Sequence, residues 1–146
     1  MPTAAKLFAA FGMVCTAAAA LWLLRADEPA WRETIIAFGV ALPVAAVAGW
    51  RECGARAGKG AVTSVLAAIR SAIYMVIGSA LVLAVIQMFK LAWRRHYEAP
   101  TEAVVDIIAL AIGFARPLAQ APIVATLLAG AILTGLLAEW AGRRWR

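Results

Sequence analysis

The residues of this chain that could do chemistry are few and widely spaced. A metal site needs several His, Cys or carboxylate ligands that converge, but the 146 residues contain one histidine, His96, and two cysteines, Cys15 and Cys53. His96 stands in a basic and aromatic stretch, which is typical of a residue at the level of lipid headgroups rather than of a ligand or base. We therefore expect no metal and no cofactor.

Nucleophilic catalysis lacks a sequence signature too. A reactive serine needs a partner base, and the sequence contains no Gly-x-Ser-x-Gly motif. We expect Ser64, Ser71 and Ser79 to form hydrogen bonds within or between helices instead. Gly58-Lys59-Gly60 lacks the rest of a phosphate-binding loop motif. The sequence thus predicts a protein that is not an enzyme and has no catalytic residue.

Three ionisable residues near apolar segments are candidates for a polar functional face. Glu102 and Asp106 share one face of a predicted short helix: they line a polar cavity if that helix packs into a bundle and are solvated if it lies on a membrane surface, which we favour. An arginine within a membrane span would indicate function. Arg70, however, can lie at the edge of its span and extend its side chain to the interface, and we favour this interpretation.

The amino-acid composition indicates that the protein resides in a membrane. Hydrophobic residues make up 64% of the chain and charged residues 15%, with a mean hydropathy of +0.85. Soluble domains carry about 25% charged residues, and a small domain has too little interior to hide so much apolar surface. The chain is therefore predicted to be a single integral membrane domain over residues 1–146.

Apolar runs of spanning length indicate an all-α membrane protein with four transmembrane helices and one short amphipathic interfacial helix before the last span. The first run has eighteen uncharged residues, about 27 Å of helix. That is longer than the apolar core of a signal peptide, so a retained helix is favoured over a cleaved signal. The predicted spans are 7–24, 34–50, 71–89 and 118–138, and the interfacial helix is 101–115.

Basic residues gather at the ends of these runs and give a net charge of +6. This distribution favours anionic lipid headgroups as partners and argues against nucleic acid. The side of the membrane that holds both termini carries one more basic residue than the opposite side. This difference favours cytoplasmic termini. The predicted headgroup anchors are Trp50, Arg51, Arg56, Trp93, Arg94, Arg95, Tyr97, Trp140, Arg143, Arg144 and Trp145.

Small residues recur at four-residue spacing, which allows helix backbones to approach closely in lipid. In an alanine-rich chain such rows also arise by chance. Where they are meaningful, they mark contacts within the protein, with a second copy, or with a membrane-protein partner. The candidate packing rows are Ala37, Ala41, Ala45 and Gly49 in the second run, Thr126, Gly130 and Thr134 in the last, and Gly12, Thr16 and Ala20 in the first.

Several short motifs are distributed along the whole chain. They are Met1-Pro2-Thr3-Ala4-Ala5-Lys6, Gly49-Trp50-Arg51, Arg56-Ala57-Gly58, Arg94-Arg95 with Tyr97, Pro100-Thr101-Glu102-Ala103, and Ala138-Glu139-Trp140 with Arg143-Arg144-Trp145. Taken together, these motifs resemble the TrgA family of small alphaproteobacterial membrane proteins linked to tellurite resistance. The resemblance implies a bacterial inner-membrane protein, but it brings no mechanism or catalytic residue.

Three functions stay open at this point. The first is a non-enzymatic inner-membrane protein associated with tellurite resistance. The second is a small accessory or assembly subunit of a larger membrane complex, which would use the small-residue rows and interfacial tryptophans as packing surfaces. The third is an oligomeric anion transporter or channel, for which Glu102, Asp106, Arg70 and Gln87 are the available polar residues.

Overall fold

The computed structural model of the protein describes residues 4–25, 31–93 and 100–144, and the side chains of 31–34, 92 and 100–104 lie outside this description. Within these ranges the chain is almost entirely helical and contains no strand. Four helical segments are long and apolar enough to cross a membrane: Ala4–Arg25, Ile35–Arg56, Ala61–Leu91 and Ala121–Arg144. The fold is that of a multi-pass α-helical membrane protein.

The helices follow one another with short connections. They are α1 (Ala4–Arg25), α2 (Trp31–Ala48), a π-helical turn (Gly49–Cys53), α3 (Gly54–Arg56), α4 (Ala61–Trp93), α5 (Pro100–Ala115), a 3-10 turn (Pro117–Ala119) and α6 (Ala121–Arg144). Helix α5 thus lies where a short helix is predicted. Its placement in the headgroup region remains a prediction.

The second apolar segment extends beyond the predicted end at residue 50. Pro43 lies inside α2 without ending it, and the chain stays helical to Arg56 through the π-helical turn and α3. Gly54 is helical, at φ −66°, so the turn is left to Gly58 and Gly60, whose φ angles are 86° and 122°. Residues that carry a Cβ rarely adopt positive φ angles, which explains glycine at both positions.

Helix α4 is one continuous helix of 33 residues, about 50 Å long and therefore longer than the hydrocarbon layer of about 30 Å. The predicted span 71–89 lies inside it. The last span begins at Ala121 rather than at residue 118, because Pro117 opens a 3-10 turn and Gln120 adopts an extended conformation with ψ 140°. Helix α5 packs mainly along α4.

Close backbone contacts hold the bundle together. Gly12 and Gly130 face Thr134 and Thr16, respectively, so α1 and α6 run antiparallel; a Cβ on either glycine would lie within 2.8 Å of the opposing threonine side chain. The fully buried core is mostly alanine, with Met13 as its largest residue. Such packing suits lipid, where water does not drive the helices together.

Candidate functional site

A buried carboxylate joins the last helix to the turn between α3 and α4. Glu139 is 4% exposed and accepts four hydrogen bonds. Its Oε2 accepts from the Gly58 amide at 2.7 Å and from Ser64 Oγ at 2.7 Å. Its Oε1 accepts from the Gly60 amide at 3.2 Å and from Arg143 Nε at 2.8 Å. We call these five residues the Glu139 cluster.

Local structure explains why the donors converge. Positive φ angles at Gly58 and Gly60 turn both amides toward α6. The Ser64 amide donates to the Gly60 carbonyl at 3.0 Å, which fixes the first turn of α4. Arg143 follows Glu139 by four residues and therefore lies on the same helix face. The turn and the first residues of α4 therefore direct their hydrogen-bond donors at one carboxylate.

The cluster satisfies the charge it buries. A buried carboxylate is costly unless hydrogen bonds replace its water, and hydrogen bonds to a charged acceptor are strong. Four donors occupy the roughly four lone-pair directions of a carboxylate. The Arg143 side chain is 67% exposed, so this cation extends from the cluster toward the surroundings. The arrangement anchors the turn and fills the hydrogen-bond acceptor positions of Glu139 with donors from the protein.

Three further contacts lie at this end of the bundle. Arg56 Nη1 pairs with Glu52 Oε2 at 3.0 Å, and the Arg56 carbonyl oxygen lies 3.4 Å from Ser64 Oγ, whose proton is donated to Glu139 over the shorter distance of 2.7 Å. Gly54 packs against Lys6, where a Cβ would lie 2.8 Å from the Lys6 Cα. The start of α1, the end of α6 and the turn at 57–60 therefore lie at the same end of the bundle. Motifs that are far apart in sequence meet there.

The predicted anchors are distributed over both ends. Trp140 is exposed and the Arg144 guanidinium lies 5.6 Å from its ring centroid. Trp93 is 92% exposed near the end of α4. Trp50 is half-buried, Arg51 is exposed and Arg56 is paired. Arg94, Arg95, Tyr97, Trp145 and the side chain of Glu102 lie outside the described residues.

The small-residue rows make several of the closest contacts. Gly49 packs against the backbone of α1, where a Cβ would lie 2.7 Å from the Ala9 carbonyl oxygen. Ala41 and Ala45 are buried. Thr126 is half-buried and bonds the Pro122 carbonyl of its own helix at 2.8 Å. Ala37 lies beside a cavity described below.

The candidate polar face does not assemble among the described residues. Arg70 is exposed on α4, whereas Asp106 is half-buried on α5, and neither takes part in the two described ion pairs. Arg70 lies beside the apolar middle of α6, because Val65 contacts Gly135 and Ile73 shares a cavity with Leu128. It is thus deeper along the bundle than a helix-end position.

The serine predictions have mixed outcomes. Ser64 bonds Glu139, and Ser79 donates to the Met75 carbonyl one turn earlier. Ser71 Oγ is buried without a hydrogen-bond partner among the described residues, so its predicted hydrogen bond is absent there. Sequence reasoning named Glu139 only as part of the motif Ala138-Glu139-Trp140 and did not predict it as a buried site residue. The available signal was one acid near the end of an apolar run, followed four residues later by Arg143.

Together these features define a multi-pass α-helical membrane protein whose α3–α4 turn is fixed to its last helix by a buried carboxylate. No group of three His, Cys, Asp or Glu in the described part of the chain is placed to hold a metal ion. No protein family, curated protein or solved structure matches this chain.

Proposed function

We propose that the protein is a non-enzymatic, multi-pass protein of the bacterial inner membrane that contributes to tellurite tolerance. The resemblance to the TrgA family suggests the process. The single structural observation that supports it is the meeting of separate motifs at the Glu139 cluster. Arg56-Ala57-Gly58 contacts Ala138-Glu139-Trp140 through the Gly58–Glu139 hydrogen bond of 2.7 Å.

The same end of the bundle also supplies a surface for work at the membrane. Arg51, Lys59 and Arg144 are exposed there, and Arg143 projects from the cluster. Cations at this level attract anionic headgroups, and the cytoplasmic leaflet is rich in them. We therefore assign the cytoplasmic side to this end, where the buried carboxylate holds the cationic turn in one conformation against the bilayer or an envelope component.

Deletion and complementation test this function. The deletion strain should grow less well on tellurite, and the wild-type gene should restore growth. Glu139→Gln should restore less growth than Glu52→Gln, because only the first removes a buried carboxylate. Immunoblots of membranes show whether a variant fails through lower abundance. Unchanged tellurite sensitivity of the deletion strain would remove the proposal.

A specific observation supports a second candidate, an accessory subunit of a membrane complex. Arg70 is exposed within the candidate span Ala61–Leu91, on a stripe that includes exposed Leu66, Ile73 and Ile77. A charge on a lipid-facing stripe is stabilised by extending to the headgroups or by pairing with a carboxylate of another membrane helix. The second arrangement gives the protein a partner.

Purification in mild detergent separates these candidates. A subunit should bring down a stoichiometric membrane protein, and Arg70→Gln should release it. Lys90→Gln is the matched control, since Lys90 is also an exposed cation of α4 but lies near its end. A partner-free protein from wild-type membranes would exclude the accessory role while leaving the tellurite phenotype to be judged by growth.

A further inference from the structure

A cavity lies at the other end of the bundle from the Glu139 cluster. Its volume is about 310 Å³, which is at the lower end of the range of small-molecule sites. The walls come from the second half of α1, the middle of α2 and of α4, the end of α5, the 3-10 turn and the first third of α6. Representative lining residues are Leu21, Ala41, Met75, Leu83, Phe114 and Leu127.

The chemistry of the walls is almost uniform. Two of the lining residues carry polar side chains, Ser79 and Arg25. The Ser79 hydroxyl donates its hydrogen bond to the Met75 carbonyl of its own helix, so it needs no hydrogen-bond acceptor from a ligand. The remaining surface is aliphatic or aromatic. Such a cavity favours a hydrocarbon occupant over water, which needs several polar partners to enter.

Arg25 gives this cavity a charged rim. It is the last residue of α1, is exposed, and its guanidinium lies 5.5 Å from the ring centroid of Trp22. Exposed Trp–Arg pairs are typical of the headgroup level of a membrane. Neither described ion pair uses Arg25, and the acids that follow it, Asp27 and Glu28, lie outside the described residues.

We propose that this cavity binds one acyl chain of an anionic phospholipid, with the lipid phosphate at Arg25. The apolar walls contact the acyl chain, and the Arg25 guanidinium binds the negatively charged headgroup. The cavity and its rim therefore match the apolar and the charged part of one lipid molecule. The lipid would fill the space between the first two helices and the wall formed by Phe114 of α5 and Leu118 of the 3-10 turn. This inference is independent of the tellurite proposal.

Photolabelling of the full chain in nanodiscs tests the proposal. The discs contain a neutral phosphatidylcholine with a small fraction of phosphatidylglycerol that carries a diazirine on one acyl chain. Peptide mapping should place the label on cavity-lining segments of α1, α2 or α4. A phosphatidylcholine with the same diazirine chain also carries a phosphate, but its choline cation cancels the net charge that attracts Arg25. It should therefore label these segments about tenfold less, a difference of about 1.4 kcal/mol.

Two variants and a control make the result specific. Arg25→Gln should reduce the phosphatidylglycerol label to the phosphatidylcholine level. Ala37→Leu, which adds volume at a half-buried lining position, should reduce both. Arg116→Gln is the control, because Arg116 is exposed just after α5 and does not line the cavity. Equal labelling by the two lipids in the wild type, or labels confined to outward-facing residues, would overturn the proposal.

Discussion

Thr16 of α1 lies against Gly130 of α6 so closely that a Cβ on Gly130 would be 2.4 Å from the threonine Cγ2. The threonine hydroxyl oxygen is almost as close, at 2.5 Å from that position, and it donates to the Gly12 carbonyl of its own helix at 2.9 Å. One antiparallel step along, Gly12 faces Thr134 in the same manner. Two glycine–threonine pairs therefore set the distance between the first and last helices.

Replacing Gly130 should destabilise the bundle. Gly130→Val must push α1 away from α6, and overpacking of this kind costs about 1–3 kcal/mol. Thermal unfolding in detergent, followed by circular dichroism, should show a lower midpoint. Gly39→Ala is the control, since nothing lies within 4 Å of a Cβ there; it should not lower the midpoint. Equal midpoints for Gly130→Val and wild type would contradict the contact.

Removing the charge of Glu139 should loosen the turn at 57–60. Glu139→Gln replaces one carboxylate oxygen by an NH₂ group, which faces buried N–H or O–H donors and cannot accept from them. We expect this change to lower the free energy of unfolding by about 2 kcal/mol. Hydrogen exchange at Gly58 and Gly60 should accelerate as the unfolding midpoint falls. Glu52→Gln should cost less than about 0.5 kcal/mol, because it removes a partly exposed pair one helical turn apart. Similar exchange rates in both variants would refute this assignment.

Backbone strain should appear when Gly58 is replaced. Its φ of 86° lies in a region that costs an alanine about 1–2 kcal/mol, so Gly58→Ala should lower the unfolding midpoint. Gly113→Ala should not, since Gly113 is helical and nothing lies within 4 Å of a Cβ there. Denaturant titration of both variants compares them directly. A stable Gly58→Ala protein would show that the turn has another conformation.

Four crossings make a definite topology prediction. In a background of Cys15→Ala and Cys53→Ala, Lys59→Cys and Arg144→Cys should react with a membrane-impermeant maleimide from one side. Arg116→Cys should react from the other, because it lies between the third and fourth candidate spans. With cytoplasmic termini, the first two label in inverted vesicles. Labelling of Lys59→Cys and Arg116→Cys from the same side would rule out four crossings.

The sequence could not reveal which residues meet across helices. Glu139 is bonded to Ser64, Gly60 and Gly58 over separations of 75, 79 and 81 residues. A helical pattern describes neighbours three or four residues apart, so it could at most place Arg143 near Glu139 and could not reveal the turn that supplies the other donors. Likewise, Gly58 and Gly60 are residues that turns favour, but nothing in their sequence neighbourhood indicates the carboxylate that their amides bind.

Apolar length and charge placement by themselves determined the four helices that are long and apolar enough to cross a membrane, because transfer of each long run into hydrocarbon is a property of that run alone. Tertiary structure decided the pairing of α1 with α6, the extension of the second helical segment to Arg56, the Glu139 cluster and the cavity beside Arg25. Those features depend on which helix surfaces are in contact. The hydropathy of one segment does not determine its contact energy with a segment that is distant in sequence.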